Sequence, residues 1–139
     1  MKKIKKNNPD YFSQYVKNKC KTDLKFNLNF KMRNAIGKCL KNNKSKAGRN
    51  WESLIYYTLI DLIKRLKETM STGFTWKDFI SGELHIDHII PIDVFNFTKP
   101  EHTDFKRCWA LSNLRLLSAR ENIIKSNKLI RPFQPTLEI

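Results

Sequence analysis

Apolar positions follow a helical rhythm through the first half of this chain. Tyr11, Phe12, Tyr15 and Val16 fall at helical spacing behind Asp10, a candidate N-cap. Met32, Ala35, Ile36, Cys39 and Leu40 form a cleaner stripe, with Lys31, Lys38 and Lys41 mostly off it. Gly37 weakens that helix slightly without forbidding it. Residues 41–50 are polar, basic and turn-rich, which predicts an exposed loop suited to phosphate contact through Lys44, Lys46 and Arg49. Trp51 to Tyr57 predicts a short helix or turn. Thr58 and Asp61 have capping-box spacing, and Leu59, Leu62, Ile63, Leu66 and Met70 continue as a helix through about Glu68. Gly73 stands where that helix should stop. Trp76 and Phe79 read as core anchors rather than base-stacking residues.

The rhythm then changes. Leu84-His85-Ile86-Asp87-His88-Ile89-Ile90-Pro91 is a β-branched run that predicts a short strand with a turn near Ile90, because Pro91 cannot donate to a ladder. Alternation puts His85 and Asp87 on one face and His88 on the other, unless the strand ends there. The run Ala110–Leu117 predicts a second strand. Between them, Phe95, Phe97, Phe105 and Trp109 are expected to pack an insert onto the core, with a short helix from Asp104 through Cys108 and an exposed turn around His102. Ser118 and Glu121 have capping-box spacing, so a helix should start at about Ala119, with Asn122 and Lys125 on one face of it. The expected class is α+β: a mostly helical N-terminal part, then a strand–strand–helix unit over about residues 82–128. We divide the chain at 1–24, a basic arm and helix, and 25–139, the main domain.

Charge adds a partner. The formal net charge is +14. Residues 1–50 hold 15 Lys and Arg against Asp10 and Asp23, a balance of +13, while residues 51–139 hold 12 bases against 11 acids, +1. A neutral body with a basic appendage suggests a polyanion such as nucleic acid. The plainer reading is a solvated face. Cys20, Cys39 and Cys108 are odd in number and widely spaced, which argues against a disulfide framework or a four-cysteine zinc site and predicts buried free thiols in a reducing compartment. The basic start has no apolar segment behind it, and no stretch approaches the roughly 20 apolar residues of a membrane span. The expectation is a cytoplasmic protein with no membrane partner.

Asp87 and His88 in the first strand, Asn113 in the second and Asn122 on the helix together closely resemble the HNH endonucleases, whose fold is the ββα-metal motif. The upstream order is similar to phage and bacterial members: a basic helix, an apolar helix, the Gly73-Phe74-Thr75-Trp76 turn, then the His-Ile-Asp-His strand. The likeness spans roughly residues 25–130. It implies a metal-dependent DNA endonuclease that leaves 5′-phosphate and 3′-hydroxyl ends. His88 would be the general base, Asp87 and Asn122 the metal ligands, and Asn113 a structural tie that orients His88. Lys125 would contact a phosphate, and Arg115 and Arg120 are further candidates for DNA contact. Double-stranded DNA is the implied partner, with the strand–strand–helix unit against the minor groove. Asn122 stands where many members carry histidine. That makes Mg2+, with Mn2+ as substitute, a better match than a histidine-rich zinc or nickel site, and no structural zinc is expected.

Each residue has a plainer reading alone: Asp87 as a turn cap, Asn122 and Lys125 as solvated helix residues, the arginines as solvated surface. His85 keeps three open roles, as a support to the ligands, a phosphate contact or an extra ligand. A different function class also remains open: a nucleic-acid-binding protein that uses an HNH-like unit only as a scaffold, for RNA as readily as DNA. Target sequence, nicking versus double-strand cleavage, and oligomeric state are not encoded legibly.

Overall fold

A computed structural model describes residues 10–40 and 50–130, save the side chains of residues 126–130. The expected basic loop, with Lys44, Lys46 and Arg49, lies outside the described residues, as do the first nine residues and the tail from Arg131.

Helices α1 (Tyr11–Thr22) and α2 (Leu24–Leu40) meet at Asp23, whose extended backbone breaks the helix. Its carboxylate accepts from the Phe26 N–H at 3.1 Å and so starts α2. Asp10 sits at the start of α1, where its carbonyl accepts from the Gln14 N–H at 3.0 Å, but its side chain makes no capping hydrogen bond, contrary to expectation. Of the predicted α1 stripe only Val16 is buried; Tyr15 instead meets Phe26 of α2 edge-on. The α2 stripe is the stronger one, with Leu28, Met32, Ile36 and Leu40 all buried at helical spacing.

Asn50 caps α3 (Trp51–Ile55), which ends in a left-handed Tyr56. The Thr58–Asp61 capping box starts α4 (Leu59–Thr69) as expected. Gly73 does not end this helix: Met70 caps it, and Gly73 takes a positive φ of 95° in the turn that follows. A second capping box, Thr75–Asp78, starts α5 (Trp76–Ile80), which buries Phe79 completely and leaves Trp76 half-buried against it.

Strands β1 (Leu84–His88) and β2 (Leu114–Ser118) pair antiparallel from Leu84↔Ser118 to His88↔Leu114. The predicted second strand therefore starts late. Leu111–Asn113 is a 3-10 turn, and Asn113 adds side-chain hydrogen bonds in the loop to one backbone bond across the hairpin. The connection carries another 3-10 turn, Ile92–Val94, and helix α6 (Thr103–Cys108). Phe105 and Trp109 bury it in the core and Phe95 and Phe97 pack beside them. The Ser118–Glu121 box then starts α7 (Ala119–Ile130), the Glu121 N–H donating to Ser118 Oγ at 3.1 Å.

The chain is thus α+β, with one two-stranded antiparallel sheet among the described residues. Its apolar core runs from Leu28 on α2 to Leu116 on β2. The sheet's two faces divide the labour. Leu84 and Leu116 point into the core, whereas His85 and Asp87 face α7. None of the three cysteines is in a disulfide, but only Cys108 is fully buried; Cys20 and Cys39 are half-buried. No described helix is long and apolar enough to cross a membrane.

Candidate functional site

The hairpin ends where its chemistry begins. His88 is the last residue of β1, and Asn113 is the last before β2. The Asn113 carbonyl accepts from the Ile89 N–H at 2.8 Å. Its side chain does more. Oδ1 accepts from the Ile90 N–H at 2.7 Å, and Nδ2 donates to Ile90 O at 3.1 Å and to Cys108 O at 2.9 Å. One amide thus ties the chain leaving β1 to the chain entering β2. Because Asn113 is itself buried and makes three side-chain hydrogen bonds, Asn113→Ala should lower stability by about 2 kcal/mol in urea unfolding. A loss under about 0.5 kcal/mol would mean that the tie is dispensable.

Support comes from behind. Arg65 on α4 donates from Nε to Leu114 O at 3.0 Å and from Nη2 to Ser112 O at 3.3 Å. Thr69 Oγ1 accepts from the Leu116 N–H at 2.9 Å, and Tyr57 Oη donates to Trp109 O at 2.7 Å. Sequence reasoning misses all three, because nothing local marks a helix side chain as the partner of a distant backbone.

A recess of about 270 Å³ opens beside this junction, lined by Asp87, His88, Asn122 and Lys125 with Ile86 and the turn at Pro91–Asp93. Four residues expected from sequence to act together thus line one recess, and Asn113 braces its turn from the buried side. Asp87 is only 7% exposed. Its Oδ2 accepts from Arg115 Nε at 2.9 Å. Lys125 Nζ lies 3.1 Å from Oδ1 and 3.0 Å from Oδ2, and donates to His88 O at 2.6 Å. Lys125 and Arg115, expected at DNA phosphates, are thus turned onto Asp87. His85 meets Asn122, Nδ1 to Nδ2 at 3.3 Å, a hydrogen bond when that ring nitrogen holds a lone pair. Of its three open roles, this contact fits the first. Arg120 is exposed on α7 and takes no part in lining the recess. His102 is also apart, its Nδ1 accepting from the Thr98 N–H at 3.1 Å within its own turn.

His88 packs edge-on against Trp109, ring centroids 4.5 Å apart. Burial lowers its pKa from the ordinary 6.5 to about 4; Asp87 opposes the shift and Lys125 adds to it. Between pH 6.5 and 4 the unfolded chain binds a proton at His88 that the folded chain refuses, so stability falls as pH falls through this window. The effect should reach about 2–3 kcal/mol at pH 4. Urea midpoints at pH 7.5 and 4.5, in EDTA, should therefore diverge more for the wild type than for His88→Gln. Equal divergence would assign the pH dependence to other groups.

What can hold a cation here is oxygen. The Lys125 ammonium already sits among both Asp87 oxygens and the His88 carbonyl, and Asn122 lines the same recess. Among the described residues, no group of three or more His, Cys, Asp or Glu gathers in a metal-binding arrangement.

No protein-family model and no solved structure matches the chain. It is similar to "Uncharacterized protein L426" of Acanthamoeba polyphaga mimivirus, 30% identical over an alignment of 117 residues that covers 82% of this chain. The chain spans about half of that relative, 48% of its length.

Proposed function

We propose that this protein is a metal-dependent DNA endonuclease of the HNH type, with residues 82–128 as its ββα unit. The observation that carries the reading is the convergence of Asp87, His88, Asn122 and Lys125 on one recess, with Asn113 bracing the turn behind His88. The basic N-terminal third and the overall charge of +14 support a nucleic-acid substrate.

The donor set fits a hard divalent cation. An ammonium held by three oxygens marks a corner that accepts positive charge, and magnesium commonly takes one or two protein oxygens with water and phosphate completing its shell. Asp87 and Asn122 would hold it. Bound there, the cation would supply charge neutralisation at the phosphate and the departing 3′ oxygen.

The chain's own residues do the rest. His88 is neutral throughout the physiological pH range and so has a lone pair available for the proton of the attacking water. Its Nε2 is shut away from solvent, which leaves Nδ1 as the nitrogen able to meet that water. Asn113 fixes the backbone on which His88 is carried, and Arg115 holds the Asp87 carboxylate in orientation. In-line attack opposite the 3′ oxygen then leaves 5′-phosphate and 3′-hydroxyl ends.

One observation favours the second reading, a nucleic-acid-binding scaffold without catalysis: Asp87 is already engaged by two cationic side chains. Supercoiled-plasmid conversion separates the two. Purified protein should nick the plasmid in Mg2+ or Mn2+, not in EDTA, and Asn122→Ala should slow nicking at least about tenfold. Binding without nicking under every metal would favour the scaffold.

A further inference from the structure

Beside the recess lies a larger groove of about 510 Å³, and Ile86 and His88 line both. Helix α2 contributes Met32, Asn34 and Ala35 to it, and the almost fully buried rings of Phe79 and Trp109 lie beneath its floor. Two cations, Lys31 and Lys38, also line it, and no acid does. The Lys31 ammonium lies 4.3 Å from the centre of the Phe79 ring.

Two polar atoms here lack partners. Trp109 is 2% exposed, and its indole N–H is buried with no acceptor among the described residues. His88 Nε2, in the ring packed against that indole, is buried and unpartnered too. A buried donor without an acceptor is costly, so such atoms in a native protein call for an explanation such as a ligand.

We infer that this groove receives one unstacked, unpaired nucleobase from the strand whose phosphate lies at the Asp87–His88–Asn122 recess, an inference that rests on the nucleic-acid reading above. A base and its phosphate are joined through a single sugar, and these two hollows adjoin at Ile86 and His88. Apolar walls suit the faces of a base; the Trp109 N–H, buried in the free protein, meets its acceptor-bearing edge only when the Trp109–His88 pair parts on binding. Lys31 and Lys38 suit the flanking phosphates. A phosphate backbone alone has no use for an apolar hollow, and an apolar peptide has none for two lysines. A paired, stacked base cannot enter. The substrate class is therefore nucleic acid with an unpaired base at the cleavage position: a bulge, a mismatch or a single-stranded segment. Unstacking is costly in intact duplex and nearly free at a bulge, which makes the preference measurable.

The test is binding in EDTA at fixed salt, so that no metal or turnover enters it. A paired duplex is compared by fluorescence anisotropy with the same duplex carrying a one-nucleotide bulge of 2-aminopurine. The bulged duplex should bind at least about tenfold more tightly, with a saturable change in 2-aminopurine emission at the same midpoint. Ala35→Trp, which fills the groove, should bring the two affinities together while the paired duplex binds as before. Ala35→Leu, a smaller filling, should give part of that effect, and thermal melting checks that both variants fold. Equal affinities in the wild type, or a preference that survives in folded variants, would overturn the inference; a groove meant for a peptide or for the chain's own segment would give that result. No affinity for either duplex would overturn the nucleic-acid reading itself, and the groove's role with it.

Discussion

His88→Ala should lower the single-turnover rate of phosphodiester cleavage by about 10²–10⁴-fold while sparing DNA binding. The recess holds one imidazole, and of its other lining groups Asp87 is committed to Arg115 and Lys125, Lys125 is a donor, Asn122 is no base, and Asp93 is an exposed carboxylate on the following turn. Burial makes His88 a weaker base than a free imidazole, but it also keeps the ring unprotonated throughout the neutral range. An arriving phosphate, as an anion, would push in the other direction and favour proton uptake. Removing the ring should therefore abolish the proton-accepting step and leave the binding surface intact. Added imidazole should restore part of the rate, which a merely unfolded variant would not allow. A fully active His88→Ala protein would sink the mechanism.

Spacing is what makes the candidate site legible in the sequence. His85, Asp87 and His88 lie within four residues, so a strand places them in one small region whatever the rest of the chain does. The two capping boxes at Thr58–Asp61 and Ser118–Glu121 announce helix starts by local hydrogen bonds alone, and both form as expected. The Thr75–Asp78 box has the same spacing, but the adjacent Gly73 signals a stop and masks the start that follows it. The run Ala110–Leu117 reads as strand from its first residue, because its apolar pattern does not distinguish a strand from a 3-10 turn. What decides there is Asn113, whose side chain closes the loop on Ile90 and Cys108.

Partners across the fold are not legible. Lys125 reads as an exposed lysine reaching for phosphate on a basic protein, and nothing within a few residues of it says otherwise. Its ammonium instead meets Asp87, 38 positions away, because α7 returns across the sheet face that carries His85 and Asp87. The same holds for Trp109, whose apolar character assigns it to the core but not to His88. Burial beside that ring lowers the His88 pKa and so alters the chemistry read from residue type alone.

Lys125→Met is the sharpest probe of the cation corner. The ammonium lies within 3.1 Å of both Asp87 oxygens and the His88 carbonyl, and its side chain is 22% exposed. Methionine keeps most of the apolar stem and removes the charge. Asp87, 8% exposed at its side chain, is then left with Arg115 alone. Losing one partner of a shielded carboxylate should destabilise the protein by about 3 kcal/mol in EDTA, read from urea unfolding. If the vacated oxygens accept a divalent cation, Mn2+ or Mg2+ should return much of this loss, since a ligand at 100 times its Kd stabilises by about 2.7 kcal/mol. The wild type should respond less to the same metal, because its ammonium competes for the same oxygens. Equal metal responses in the two proteins would place the cation elsewhere. A variant as stable as the wild type without metal would mean that Arg115 alone satisfies Asp87, and that Lys125 is available to the substrate from the outset.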